Sequence, residues 1–135
     1  MKKMRILVAF FFLVLPFMAG AQEQQQLNKK NLVVKEWNTD AKGSHKVLDH
    51  QTTYNADGKK LEEIEYGTDG QKWRKRYEYD TATGKMSKEY VYDGRNKLQT
   101  YKTFEYNEFA KKKVQYTYNA KGRLIGIKQF EYIAQ

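Results

Sequence analysis

Tyrosine recurs along this chain at Tyr54, Tyr66, Tyr79, Tyr92, Tyr106, Tyr118 and Tyr132, at intervals of 12, 13, 13, 14, 12 and 14 residues. Each of the first six precedes a turn-forming stretch: Asn55-Ala56-Asp57-Gly58, Gly67-Thr68-Asp69-Gly70, Asp80-Thr81-Ala82-Thr83-Gly84, Asp93-Gly94-Arg95-Asn96, Asn107-Glu108-Phe109-Ala110 and Asn119-Ala120-Lys121-Gly122. Asn, Asp and Gly tolerate the left-handed backbone of tight turns, and Asn and Asp side chains accept hydrogen bonds from the backbone just downstream. Two residues before each tyrosine stands Thr52, Ile64, Tyr77, Tyr90, Phe104, Tyr116 or Phe130, all β-branched or aromatic. A repeat this short leaves room for one strand and one turn per unit and for little else.

Between turns the side-chain period is 2. Trp73, Lys75, Tyr77 and Tyr79 alternate with Arg74, Arg76 and Glu78, and Met86, Lys88, Tyr90 and Tyr92 alternate with Ser87, Glu89 and Val91. This predicts half-buried strands over 46–54, 60–66, 72–79, 85–92, 97–106, 112–118 and 123–133, with an eighth over 32–37. Short connections predict antiparallel neighbours in sequence order. The expected fold is therefore all-β, an antiparallel meander of seven or eight strands in one twisted, curled, Tyr-rich sheet. The alternative is the same sheet rolled into a small barrel. Ile125, Ile127 and Ile133 take the opposite parity, which predicts a second surface covered by Leu32-Val33-Val34 or by a partner.

The first 21 residues are a different material. Lys2, Lys3 and Arg5 precede an apolar run from Ile6 to Phe17, and Met18-Ala19-Gly20-Ala21 places small residues before a cut between Ala21 and Gln22. This is the pattern of a secretory signal peptide. The apolar run is shorter than the roughly 20 residues of a spanning helix, so no membrane span is expected after cleavage. The division is then 1–21 signal peptide, 22–30 flexible polar leader and 31–135 a single β-repeat domain. Removing the signal lowers the net charge from +9 to +6. In the remainder Leu, Ile, Val and Phe number 18, a poverty that usually signals disorder. Sixteen aromatic residues remain, however, and disordered chains avoid them. So few aliphatic side chains cannot fill the core between two sheets, which favours one sheet. The absence of cysteine excludes thiol redox chemistry, a thiolate metal site and a disulfide scaffold.

The turns carry a resemblance. Tyr118-Asn119-Ala120-Lys121-Gly122-Arg123-Leu124 and Tyr54-Asn55-Ala56-Asp57-Gly58-Lys59-Lys60-Leu61 resemble the Y-[DN]-x-x-G-[RK]-L core of the tyrosine–aspartate (Rhs-type) repeats, with Tyr92-Asp93-Gly94 a partial match. The chain also resembles the β-hairpin repeats of a MORN variant and, in overall plan, small secreted β-repeat proteins of Gram-negative bacteria. The resemblance covers roughly residues 50–132. It implies an exported β-repeat and no catalytic residue.

Few residues offer catalysis. Ser44 and His45 are adjacent, so on a strand they point to opposite faces, and Ser44 sits in a Gly-rich turn. His45 and His50 have opposite parity and only loose acidic neighbours, so exposed histidines are expected rather than a metal site. Asn55-Ala56-Asp57-Gly58 and Asp69-Gly70 lack the remaining ligands of a calcium loop. Glu63 and Glu65 are expected to be exposed and paired with the Arg74–Arg76 strand. Asp80-Thr81-Ala82 is similar to a three-residue O-glycan acceptor, although an ordinary turn accounts for it. No catalytic residue, cofactor or metal is expected.

The most informative constellation is aromatic and cationic: Trp73, Lys75, Tyr77, Tyr79, Lys88, Tyr90, Tyr92, Lys102 and Tyr106, read as one face of the sheet. Flat rings beside cations stack on sugar rings and attract anionic groups. The expected function is a non-enzymatic, exported interaction or structural module, periplasmic or extracellular. Its expected partner is an envelope glycan, a lipid headgroup or a protein, and not nucleic acid. The alternative is a lipocalin-like carrier of a small apolar ligand in a closed barrel.

Overall fold

A computed structural model of the chain describes residues 25–135; the expected signal peptide, with its cleavage site at Ala21 and Gln22, lies outside them. Eight strands form one antiparallel sheet in sequence order: β1 (Val33–Thr39), β2 (Lys46–Tyr54), β3 (Lys60–Gly67), β4 (Gly70–Tyr79), β5 (Met86–Asp93), β6 (Leu98–Tyr106), β7 (Lys112–Asn119) and β8 (Leu124–Gln129). Among the described residues β1 and β8 each pair on one side alone, so the sheet is open and not a barrel. The Leu32-Val33-Val34 segment therefore cannot cover the isoleucines of β8. It belongs to the opposite edge, and Ile125, Ile127 and Ile133 are exposed. Of the expected leader, residues 25–28 carry no strand. Lys29 lies with its ammonium 5.5 Å from the Tyr54 ring centroid, and the Asn31 N–H donates to Asn55 O at 2.9 Å, so this end is tied to the β2–β3 turn.

The turns follow one plan. The side chains of Asp40, Asn55, Asp80, Asp93, Asn107 and Asn119 each accept two backbone N–H groups from just downstream. A residue with positive φ then reverses the chain: Gly43, Gly58, Gly84, Asn96, Ala110 or Gly122. The β3–β4 connection is tighter, closing on the Gly67–Gly70 pair.

Every ladder also carries a register shift at the same place. It falls immediately before Trp37, Tyr54, Tyr66, Tyr79, Tyr92, Tyr106 or Tyr118, and it leaves one extra residue on the following strand. The recurrent tyrosine thus stands opposite a bulge, which adds local twist. Directly opposed residues of antiparallel strands share a face, so the registers assign every side chain. Following Thr52–Glu63–Lys75–Val91 across the sheet puts His50, Glu63, Glu65, Trp73, Lys75, Tyr77, Tyr79, Lys102, Phe104 and Tyr106 on one face, called here the first. Following Glu62–Arg76–Tyr90–Tyr101–Tyr118 puts Ile64, Arg74, Lys88, Tyr92, Tyr116 and Ile127 on the second.

The nine residues read from sequence as one face are therefore divided. Trp73, Lys75, Tyr77, Tyr79, Lys102 and Tyr106 lie on the first face; Lys88, Tyr90 and Tyr92 lie on the second. Parity holds within a strand, but the turns and bulges between strands change the count. Successive tyrosine anchors consequently alternate in face and in end of the sheet. The structural repeat is the hairpin of about 26 residues: Tyr54, Tyr79, Tyr106 and Tyr132 recur on the first face, and Tyr66, Tyr92 and Tyr118 on the second.

Among the described residues no second layer covers either face. Among the described residues only Tyr77 and Thr52 are buried, at 8% and 7% exposure. Stability thus depends on ladders, turns and cross-strand side-chain pairs. Ala110 interrupts the turn plan, adopting φ 63 with a Cβ where neighbouring turns use Gly or Asn. Left-handed backbone costs an L-residue about 1–2 kcal/mol. Ala110→Gly is expected to raise stability by about 1 kcal/mol and the melting temperature by roughly 4–8 °C, measured by circular dichroism.

Candidate functional site

The two faces use their aromatic side chains differently. On the first, the tyrosine row is tied to its own backbone. Tyr79 donates its hydroxyl to Lys60 O at 2.6 Å, Tyr106 to Met86 O at 2.6 Å and Tyr132 to Lys112 O at 2.7 Å. Each acceptor opens a strand beside the tyrosine, so the phenol braces a hairpin end. Turn lysines close over the rings, Lys59 at 5.2 Å from Tyr79 and Lys85 at 5.1 Å from Tyr106, while Lys112 lies 4.4 Å from Phe104. A shallow cleft between the β2–β3 and β4–β5 turns is lined by Leu61, Tyr77 and Tyr79.

The middle of the first face holds a polar cluster. His50 Nδ1 is 2.7 Å from Glu65 Oε2, and its Nε2 is 3.7 Å from Glu63 Oε1. The imidazole meets the Trp73 ring edge-on at 5.9 Å. Tyr77 donates its hydroxyl to Glu63, and Lys60 reaches the same carboxylate at 2.9 Å. Lys75 lies 5.0 Å from Trp73 and 3.7 Å from Glu89. Glu63 and Glu65 are thus not exposed partners of the arginine strand. That role falls to Glu62, 3.0 Å from Arg74 on the second face. His50 is not free either, its side chain being 17% exposed, whereas His45 is open to solvent as expected. Burial raises the Glu63 pKa, but bonds from Tyr77 and Lys60, with the Lys60 and His50 charges, outweigh it and hold the carboxyl below its usual range. Burial first, then the bond to Glu63, pushes the Tyr77 phenol far above its ordinary value. Among the described residues no group of three His, Asp or Glu side chains is arranged to hold a metal ion.

The second face carries a ladder of unbraced rings. Tyr90 lies 6.4 Å from Tyr92 and 6.1 Å from Tyr101, and Tyr101 stacks on Tyr118 at 4.9 Å with the planes 14° apart. The Arg74 guanidinium caps one end, 4.4 Å from the Tyr92 centroid and oriented by Glu62. Tyr116 donates to Glu105 at 3.0 Å beside this row. Among the described residues the hydroxyls of Tyr90, Tyr92, Tyr101 and Tyr118 donate to no protein group; the bonded phenols are Tyr77, Tyr79, Tyr106, Tyr116 and Tyr132. Rings set side by side across three strands with free hydroxyls form a platform that can take a flat or extended ligand on one side.

Of this platform, sequence reasoning included Tyr90 and Tyr92, with Lys88 on the same face, and left out Arg74, Tyr101 and Tyr118. The missed signal was the spacing of 26 between Tyr66, Tyr92 and Tyr118, which marks one face, whereas the spacing of 12–14 mixes two. No family model matches the chain, and no curated protein matches it. Among solved structures, the chain is similar to one described as the crystal structure of a GtfA/B complex bound to UDP and GlcNAc. The identity is 12% and the TM-score 0.29, with 70% of this chain and 19% of that chain covered; the chain thus spans about a fifth of that chain's length, and the likeness carries no argument.

The first-face cluster predicts two limbs of pH dependence. A carboxyl with a lowered folded pKa stabilises the fold above its unfolded value, 4.5 for Glu63, and that contribution is lost on acidification. A phenol with a raised folded pKa stabilises the fold below its unfolded value of 10.0, and that contribution is lost as pH rises beyond it. Melting curves across pH should show Glu63→Gln flattening the acid limb and Tyr77→Phe flattening the alkaline limb, each relative to the unaltered chain.

Proposed function

We propose that this chain is an exported, non-enzymatic interaction module whose ligand lies across the tyrosine ladder of the second face. The observation that carries this reading is the run Arg74–Tyr92–Tyr90–Tyr101–Tyr118, in which each group adjoins the next across β4 to β7 with four hydroxyls unengaged. The braced tyrosines of the first face have given their hydroxyls to the fold, so the two rows serve different ends.

The chemistry of the ladder favours a glycan. Sugar rings stack on aromatic faces through their C–H surfaces, and phenol hydroxyls and a guanidinium supply hydrogen bonds around the ring edge. Strands lie about 4.8 Å apart, so successive rings follow an extended chain laid across the sheet. Arg74 at one end favours a carboxylated or phosphorylated unit there. A lipid headgroup or protein would be met by the same groups. A carrier of a small apolar ligand requires a closed barrel, and the sheet is open.

Export rests on the Met1–Ala21 pattern, which leads to the periplasm or the cell exterior. N-terminal sequencing of the secreted product is expected to read from Gln22; a product retaining Met1 would remove this part of the reading. Binding is tested on an oligosaccharide panel of neutral and acidic members, followed by calorimetry. Tyr101→Ala and Tyr90→Ala are each expected to weaken binding by about tenfold, since a base- or sugar-sized stack contributes about 1–3 kcal/mol. Trp73→Ala, on the first face, should leave it unchanged. Loss with Trp73→Ala and none with Tyr101→Ala would move the site to the other face and overturn the assignment.

A further inference from the structure

The β6–β7 turn departs from its equivalents in three respects. In the four-residue turns opened by Asn or Asp, the third residue is Lys42, Asp57, Arg95 or Lys121, all charged; here it is Phe109, 74% exposed. The residue with positive φ is Gly43, Gly58, Asn96 or Gly122 in those turns, and here it is Ala110. The third respect is the lysine that follows. Lys59 lies over Tyr79 and Lys85 over Tyr106, each a tyrosine of the next hairpin. Lys111 is their equivalent, since Tyr132 donates to Lys112 O as Tyr79 donates to Lys60 O and Tyr106 to Met86 O. Yet among the described residues the Lys111 ammonium lies over no ring and in no ion pair, and Tyr132 is left 57% exposed. A repeat that breaks its own rules at one place does so most often where it meets something else.

These departures gather at one end of the sheet. The Phe130 N–H donates to Lys113 O and the Tyr132 hydroxyl to Lys112 O, so the segment after β8 runs beside the start of β7. It brings Ile133, 77% exposed, to the end that Phe109 occupies. Lys111, Lys112 and Lys113 are successive cations there, against the acids Glu108 and Glu131. We infer that this end is a membrane-surface contact, at which Phe109 and Ile133 enter the interface of an anionic lipid layer while Lys111 and Lys113 meet its headgroups. Shape, size and charge select a lipid layer. The apolar groups sit at a hairpin tip, which enters a soft surface readily but which a protein receives only in a matching pocket. The patch falls far below the roughly 20–30 residues a side of a stable protein interface. Aromatic and aliphatic side chains settle at the boundary of headgroups and acyl chains, and each lysine near an anionic surface adds attraction. This contact is separate from the tyrosine ladder of the second face and does not rest on it.

Vesicle sedimentation of the exported product tests this, with thermal melts as the folding control. Binding to mixed phosphatidylglycerol–phosphatidylcholine vesicles is expected at about 1 mM lipid, and added salt should weaken it. Phe109→Ser should weaken it by about tenfold, through loss of one inserted aromatic side chain. Lys111→Ala and Lys113→Ala should each weaken it by about fivefold, and Glu108→Gln should strengthen it. Arg95→Ala removes a cation from a turn at the opposite end of the sheet, farther from the lipid than a Debye length, and should leave binding unchanged. A wild-type chain that stays in solution with these vesicles overturns the inference. So does binding indifferent to Phe109→Ser, which an uncleaved Ile6–Phe17 run would produce. Vesicles of extracted envelope lipids should bind as well as whole envelope membranes; binding to the membranes alone would make the partner a protein and overturn the inference too.

Discussion

The cross-strand pair is the interaction on which everything else in this molecule depends. A domain with two layers draws its stability from the apolar space between them, and its surface side chains are then free to vary. Here the described residues form one layer, and almost none of them is buried. Each strand is held by its two neighbours through the backbone ladder and by the side chains directly opposite. Long, flat or amphipathic side chains suit this best, because they cover a neighbour with one surface and keep the other in water. That is why a chain with so few aliphatic residues folds: Tyr, Trp and Lys do the covering that Leu and Val do elsewhere. Tyr77 shows the limit of the scheme. Its ring reaches 8% exposure only because neighbouring strands supply Glu63 for its hydroxyl.

The turn and the bulge act as one device. An Asn or Asp side chain holds two N–H groups at each of six turns, and the next strand then gains one unpaired residue opposite the tyrosine. The turn fixes the register and the bulge twists it, and the tyrosine fills the widened site. Repetition makes the sheet nearly one-dimensional, since each hairpin contacts only its neighbours. It also builds two rows of rings at opposite ends and on opposite faces. One row is bound into the fold by hydroxyl-to-carbonyl bonds and turn lysines; the other stacks on itself and leaves its polar groups unengaged.

Local features were legible in the sequence, and features that depend on counting across turns were not. Asn55, Asp80 and Asn119 announced their turns, and Trp73-Arg74-Lys75-Arg76-Tyr77 announced its strand, because period 2 and turn chemistry act within a few residues. The strands were accordingly placed to within a few residues. The face of Tyr92 relative to Tyr79 was not legible. The Asp80–Gly84 turn and the extra residue at Ser87 both enter the count, and a bulge has no sequence signature beyond the turn before it. One residue of error exchanges the two faces. His50 was missed for the same reason: its company with Glu63, Glu65 and Trp73 exists only once three strands are in register.

The repeat also explains why the ends of this sheet carry more meaning than its middle. An internal strand is specified twice, once by each neighbour, so its side chains are committed to pairing on both sides. An edge strand is specified once, and whatever its outer side presents is unconstrained by the fold. On β1 that freedom is filled by Lys35 and Glu36 and by Lys46 lying 4.6 Å from Trp37. On β8 it is filled by the exposed Ile125 and Ile127 on either side of Gly126. A soluble sheet has every reason to keep apolar, unpaired backbone away from water. One edge is defended by charge and the other is left apolar, so the two edges differ in what they can pair with.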